Sequence, residues 1–384
     1  MKRIIIISIA LTMGLLSCNK KNAVKQTPQD GIKLLEASAF ADTLNGKPIS
    51  LYTLKSGKGL IAQVTNYGCA VASLWVPDKA GQYADIVIGY DSIKKYINNP
   101  DGRFLNTVVG RYANRIAKGK CKIDGKEYSF PLNNNGQTLH GGYKGFDTQV
   151  WNVEKVTENS IELSYTSVDG EEGFPGNVIT KVTYTLTPEN EFVIKYSATT
   201  DKPTVVNLSF HSLFNLKGFG SGTITDHLLT INADKITPVD SVLIPTGKFD
   251  IVDGTPFDFR KPTAIGERIG VDNQQLKNGS GYDHNWVLNR KSDKDVELVA
   301  SLYEPVSGRF LEVWTDQPGL QFYSGNFFDG KQNGKYGKPM KYREGLALET
   351  QKFPDSPNQS AFPNTLLNPG ETYSQTCIYK FYTK

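Results

Sequence analysis

Val178-Ile179-Thr180-Lys181-Val182-Thr183-Tyr184-Thr185-Leu186, followed by Thr187-Pro188-Glu189-Asn190 and then Glu191-Phe192-Val193-Ile194-Lys195-Tyr196, decides the fold. Val178, Thr180, Val182, Tyr184 and Leu186 share one side of an extended chain, with Lys181 and Thr183 on the other. Pro188-Glu189-Asn190 then turns the chain into Phe192, Ile194 and Tyr196. Side chains in a strand alternate faces at period two, so two such runs joined by a short polar turn predict a hairpin with one buried face. The alternation recurs at Leu60 to Tyr67, Val71 to Val76, Ile161 to Tyr165, Leu228 to Ile231, Phe310 to Trp314 and Cys377 to Phe381. Gly, Asn, Asp and Pro interrupt it about every ten residues, the spacing of an all-β architecture. Only Asp91 to Ile97 has helical spacing, and it is short. Length and strand number predict two large antiparallel sheets packed face to face.

The N-terminus has a different pattern. Lys2 and Arg3 precede an apolar run, Ile4 to Leu16, that ends in Leu15-Leu16-Ser17-Cys18. The run is too short to span a bilayer and has the order of a secretory signal. Its last four residues resemble the lipobox of bacterial lipoproteins, which implies cleavage before Cys18 and lipid on that cysteine. Residues 1–17 are therefore expected to be a lipoprotein signal peptide, and 18–39 the lipidated cysteine and a polar tether. The expected location is the bacterial cell envelope, periplasmic or outer-membrane surface, with membrane contact through the lipid anchor only.

Residues 40–384 contain no Pro/Ser-rich linker or charge block, so a single β-sandwich domain is expected. The net charge of +4 is spread over scattered bases, which argues against a nucleic-acid partner. A monomer is expected. Cys69, Cys121 and Cys377 remain after Cys18. One disulfide plus a thiol is open to them, but three buried free thiols are the expectation. No Cys-x-x-Cys or His-x-x-x-His spacing occurs, so a protein-built metal site is not expected.

The chain has four histidines. His140 lies in Thr-Leu-His-Gly-Gly, His211 in Asn-Leu-Ser-Phe-His-Ser-Leu-Phe-Asn-Leu and His284 in Gly-Tyr-Asp-His-Asn, all turn-like, polar settings suited to proton transfer. His227 opens an alternating segment and reads as strand surface. On their residues alone, His140 is equally a turn histidine and Asp283 an Asx-turn cap. Glu349 follows the apolar run Leu346-Ala347-Leu348, where a buried strand end would raise its pKa toward that of a useful base; a solvent-facing edge strand is the alternative. Arg111, Asn114 and Arg115 are placed either to clamp an oxygen-rich ligand or to pair with surface acids. Gly218-Phe219-Gly220-Ser221-Gly222 has no following helix pattern and reads as a turn. Long polar loops with aromatics, Asn133 to Val150 and Phe327 to Arg343, suit sugar rings.

Taken in order, eight strings resemble the galactose mutarotase (aldose 1-epimerase) family over nearly the whole mature chain. They are Gly-Arg-Tyr-Ala-Asn-Arg-Ile (110–116), Thr-Leu-His-Gly-Gly (138–142), Asn-Leu-Ser-Phe-His-Ser-Leu-Phe-Asn-Leu (207–216) and Thr-Pro-Val-Asp (237–240). Thr-Pro-Phe-Asp-Phe-Arg (255–260), Gly-Tyr-Asp-His-Asn (281–285), Gln-Pro-Gly-Leu-Gln-Phe-Tyr-Ser-Gly-Asn (317–326) and Leu-Glu-Thr-Gln-Lys-Phe-Pro-Asp (348–355) follow. The resemblance implies a β-supersandwich whose cleft binds a free aldohexose such as galactose or glucose and interconverts its anomers without a cofactor. It implies Glu349 as base and His211 as acid, with Asn114, Arg115, His140, Asp283 and Gln321 binding the sugar. The family shows Asn before the acid histidine and Tyr two residues after it; Phe210 and Leu213 stand here, which opens the question of substrate preference. Rival readings are a hexose-6-phosphate epimerase, which would want extra arginines, a non-catalytic sugar-binding lipoprotein, and a glycosidase using Glu349 and Asp283.

Overall fold

The structure, a computed structural model, describes residues 31–98 and 103–384; the expected signal peptide, Cys18 and the first part of the expected tether lie outside the described residues. After a two-stranded hairpin, Asp42–Leu44 with Lys47–Ile49, comes a four-stranded antiparallel sheet of β1 (Leu51–Lys55), β2 (Ile61–Thr65), β3 (Val71–Pro77) and β4 (Tyr83–Asp85). Then follow β5 (Asn152–Val156), β6 (Ser160–Ser167), β7 (Val178–Leu186), β8 (Glu191–Thr200), β9 (Leu228–Ile231), β10 (Ala233–Thr237), β11 (Asp250–Ile251) and β12 (Thr263–Ala264). The last third supplies β13 (Asp283–Leu288), β14 (Glu297–Tyr303), β15 (Arg309–Thr315), β16 (Gly319–Tyr323), β17 (Ala347–Gln351) and β18 (Tyr373–Thr383). A nine-stranded sheet runs β5-β6-β7-β8-β18-β15-β14-β9-β12, and a five-stranded sheet runs β11-β10-β13-β16-β17. Strand accounts for 41% of the described residues against 10% helix, so the architecture is the all-β one that the period-two pattern predicts, built of large antiparallel sheets.

The hairpin with which the pattern begins is β7 and β8, in the register Val182↔Tyr196, Tyr184↔Ile194 and Leu186↔Phe192. Burial along β7 alternates without exception, and Val182, Tyr184, Ile194 and Phe192 are fully buried. Each such side chain contributes about 1.5–3 kcal/mol relative to exposure. Val64 and Leu74 of the first sheet, Val182 and Tyr379 of the nine-stranded sheet, and Trp286 and Leu348 of the five-stranded sheet share one apolar core. The large sheet thus meets two smaller ones instead of one partner of its own size. Cys69, Cys121 and Cys377 are buried free thiols.

The fold starts earlier than residue 40. Leu35 is buried and exchanges two hydrogen bonds with the Gln63 side chain, at 2.7 and 3.0 Å, and Phe40 ends a short 3-10 turn with its ring fully buried. An apolar residue whose backbone finds a buried amide docks, so residues 35–39 belong to the fold and not to the tether. His227 also departs from expectation: it is fully buried, not on the strand surface, because its ring accepts the Leu216 N–H at 3.1 Å.

Candidate active site

Two short ladders and three adjacent strands build the site. Arg115–Ile116 pairs with Thr138–Leu139, which brings Asn114 and Arg115 beside His140. Ser209–Phe210 pairs with Val108–Val109 and delivers His211. In the five-stranded sheet Asp283 pairs with Tyr323, and Gln321 with Glu349, so these four side chains share one face. Asn114, Arg115, His140, His211, Asp283 and Glu349 line one cavity of about 290 Å³. Gln321 sits behind the wall, where its amide donates to Asp283 Oδ1 at 2.7 Å and holds that carboxylate in place. The two arginines of the 110–116 string divide. Arg111 is buried away from the cavity, donating to Pro175 O (2.8 Å), Gly176 O (3.1 Å) and Ser167 O (3.1 Å).

Hydrogen bonding sorts the histidines. The Asn114 N–H donates to His140 Nδ1 and the Asp283 N–H to His284 Nδ1, both at 3.1 Å, as the Leu216 N–H does to His227 Nε2. A ring nitrogen that accepts a backbone N–H carries no proton, so each ring is held neutral in one tautomer. Burial pushes all three pKa values down, that of His284 to about 3. His211 is the histidine whose ring accepts no backbone N–H. Its Nε2 lies 3.8 Å from Glu349 Oε1, and its Nδ1 has no hydrogen-bond partner. Burial pulls its pKa down to about 4, while the nearby carbonyls of His211 and Phe104 pull it back up.

Glu349 lies on β17, every residue of which is buried, so the buried-strand alternative holds and not the solvent-facing one. Burial raises its carboxyl well above the usual range; Asp283 raises it further and Arg115 lowers it. Burial likewise raises Asp283. Arg115 is pulled down by burial, and its buried Nε has no partner. Arg115 Nε and Glu349 Oε2 are thus buried polar atoms without a protein partner in residues that line the cavity. Such groups cost about 1–3 kcal/mol each until a ligand pairs with them.

The ligand atoms of His140, His211 and Glu349 lie within 4.8 Å of one another, close enough for a metal ion. The hydrogen bonding does not fit one. His140 Nδ1 already accepts the Asn114 N–H, so Nε2 carries the ring proton and neither nitrogen offers a lone pair.

Phe104, Leu213, Tyr323, Phe327 and Met340 supply much of the rest of the wall. Phe104 has a left-handed backbone (φ 68°) and sets its ring 4.7 Å from that of His140. No motif marked it in the sequence. Of the two residues that depart from the family pattern, only Leu213 touches the cavity; Phe210 packs in the core against Tyr184 and Phe192.

Comparison with known proteins agrees over the length of the domain. Residues 50–380 match the family model described as aldose 1-epimerase. The chain is 44% identical to a galactose mutarotase of Bos taurus over 345 residues, 90% of this chain and 97% of that one. It is 36% identical to an aldose 1-epimerase of Escherichia coli K12, over 88% and 96% of the two chains. Among solved structures, the aldose epimerase homologue of C. elegans superposes with a TM-score of 0.80 at 31% identity, covering 87% of this chain and 99% of that one.

Proposed function

The chain belongs to the aldose 1-epimerase family and is an isomerase of sugars; from that premise we propose that Glu349 and His211 interconvert the α and β anomers of free hexoses such as galactose and glucose. The observation that carries the assignment is the 3.8 Å separation of His211 Nε2 and Glu349 Oε1, beyond the hydrogen-bond range of about 2.7–3.2 Å. The two oxygens of a cyclic hemiacetal are bonded to one carbon, C1. An acid and a base that serve both must be neighbours without being bonded to each other.

Glu349 takes the proton of the C1 hydroxyl, the C1–O5 bond breaks as the C1 carbonyl forms, and His211 Nε2 gives its proton to O5. Rotation about C1–C2 presents the other face of the aldehyde. The ring closes as O5 attacks C1, His211 recovers its proton from O5, and Glu349 returns one to the new C1 hydroxyl. The pair ends with the one proton it began with. Burial moves the glutamate up and the histidine down, which inverts their ordinary order of proton affinity: in the empty cavity the pair's one proton rests on Glu349, and it passes to His211 as the sugar binds, before Glu349 accepts from the C1 hydroxyl. Arg115 and the Nε2–H of His140 donate to sugar oxygens, and Asp283, held by Gln321, accepts from sugar hydroxyls.

The wall favours an uncharged sugar. Arg103 is committed to Asp147 (2.8 Å), and Asp329 to Lys331 (2.6 Å), leaving Arg115 to face two carboxyls. Among the described residues of the wall, no surplus of positive charge awaits a phosphate. Polarimetry of freshly dissolved α-galactose tests the activity: anomer exchange is expected to run faster than in buffer, and an unaccelerated rate sinks the assignment. We also propose export and lipid attachment at Cys18, supported by the charge and hydropathy order of residues 1–18. Changing Cys18 to Ala should move the protein from the membrane fraction to the soluble fraction; unchanged partitioning counts against the anchor.

A further inference from the structure

The segment 324–346 joins β16 to β17 and supplies Phe327, Phe328, Asp329, Gln332 and Met340 to the cavity wall. It forms no strand ladder; within it Asn333 and Pro339 make a single isolated bridge. Within it lies Lys335, a lysine with no exposed surface. The Lys335 ammonium reaches Asp85 Oδ2 at 2.5 Å and Ala72 O at 2.7 Å, and its backbone N–H donates to Gly89 O at 2.9 Å. The Tyr336 hydroxyl donates to the same Asp85 oxygen at 2.9 Å, while Asp85 Oδ1 accepts the Leu74 N–H at 3.0 Å. Gly334 lets the loop settle there: a Cβ at that position would stand 2.8 Å from Gly89 O and 2.6 Å from the Phe219 ring. Asp85 ends β4, so the pair ties a wall carried by the five-stranded sheet to the separate four-stranded sheet.

We propose that Lys335 is a positioning residue for sugar binding, holding the 324–346 segment against Asp85 so that its cavity-facing side chains meet the substrate. The proposal rests on the assignment of the cavity as the sugar site. A buried ammonium is a costly way to fasten a loop, and an apolar residue would serve stability as well. What the ion pair adds is a fixed point: two charged groups with directed hydrogen bonds allow one seat, where apolar packing allows several. Phe327 and Gln332 lie three to eight residues from that seat and away from His211 and Glu349 in sequence. Losing the seat should therefore weaken ground-state and transition-state binding alike.

The test compares Lys335→Met and Tyr336→Phe with wild type in galactose mutarotation and in galactose binding by calorimetry. Val182→Ala, in the core of the nine-stranded sheet, is the control for general destabilisation. Lys335→Met should raise KM and Kd by about tenfold, and Tyr336→Phe by about two- to fivefold, with kcat within about twofold of wild type. Val182→Ala should leave KM and Kd unchanged. The proposal is overturned if folded Lys335→Met keeps wild-type KM and Kd, or if kcat falls as far as KM rises. Should Lys335→Met fail to fold, the Tyr336→Phe binding constant decides, and an unchanged value overturns the proposal. Calorimetry separates this inference from the activity it rests on, because wild type that binds galactose without exchanging its anomers refutes only the activity.

Discussion

Replacing Glu349 by Gln should abolish catalysis and at the same time stabilise the protein. The amide keeps the size and shape of a side chain that is 2% exposed on a strand buried throughout its length, so the cavity should keep its form. What is lost is the proton acceptor for the C1 hydroxyl. A positioned general base contributes about 10²–10⁴-fold, so kcat should fall by that factor, about 2.7–5.5 kcal/mol of transition-state stabilisation. Stability should move the other way. Burial and Asp283 raise the Glu349 pKa in the folded state above its ordinary 4.5. Between pH 4.5 and that raised value the folded state holds a proton that the unfolded chain has released, so this group costs stability increasingly as pH climbs. The amide has no such cost. The melting temperature of the variant should therefore exceed that of wild type at pH 7, and the two should converge as pH falls to 4.5 and below. Polarimetry and thermal scans at several pH values measure both effects. Activity within tenfold of wild type refutes Glu349 as the base; a pH-independent difference in melting temperature refutes the buried, proton-holding carboxyl.

His211 titrates near 4 instead of 6.5, so kcat/KM should stay level through pH 6.5 and decline only as pH approaches 4, where the pair gains a second proton; an acid limb centred between 6 and 7 contradicts this. His140→Ala removes one donor to the sugar and should lower kcat/KM by about 5- to 150-fold, equivalent to about 1–3 kcal/mol, as read from initial rates. Arg111→Met orphans the carbonyls of Ser167, Pro175 and Gly176, so urea unfolding should show a loss of at least about 3 kcal/mol while the folded fraction keeps kcat/KM within about threefold; a selective loss of activity would return Arg111 to the site.

The strands were legible because sheet burial imposes a period of two on the sequence. Leu228 to Ile231 occupies the predicted span, and the turn at Pro188-Glu189-Asn190 separates β7 from β8 where expected. The N-terminal boundary was not legible. Leu35 docks through a hydrogen-bonding pair with Gln63, twenty-eight residues away, and nothing local announces it. Phe104 escaped notice for the same reason: it joins the site through a backbone turn and ring contacts with residues far along the chain. Lys335 has the composition of a surface loop lysine, and only the position of Asp85 makes it a buried one.

By itself the sequence determined the all-β class, the family and most of the polar side chains that meet at the cavity, because alternation and ordered motifs are local properties of the chain. The resemblance named His211 as acid and His140 as sugar binder, but the residues around the four histidines gave no physical reason for that division. The tertiary structure supplies a physical distinction: backbone N–H groups occupy a ring nitrogen of His140, His227 and His284, while the His211 ring accepts none and lies beside a carboxyl whose pKa burial has raised. Proton affinity depends on desolvation and on hydrogen-bond partners, and both are set by what the fold packs around a group.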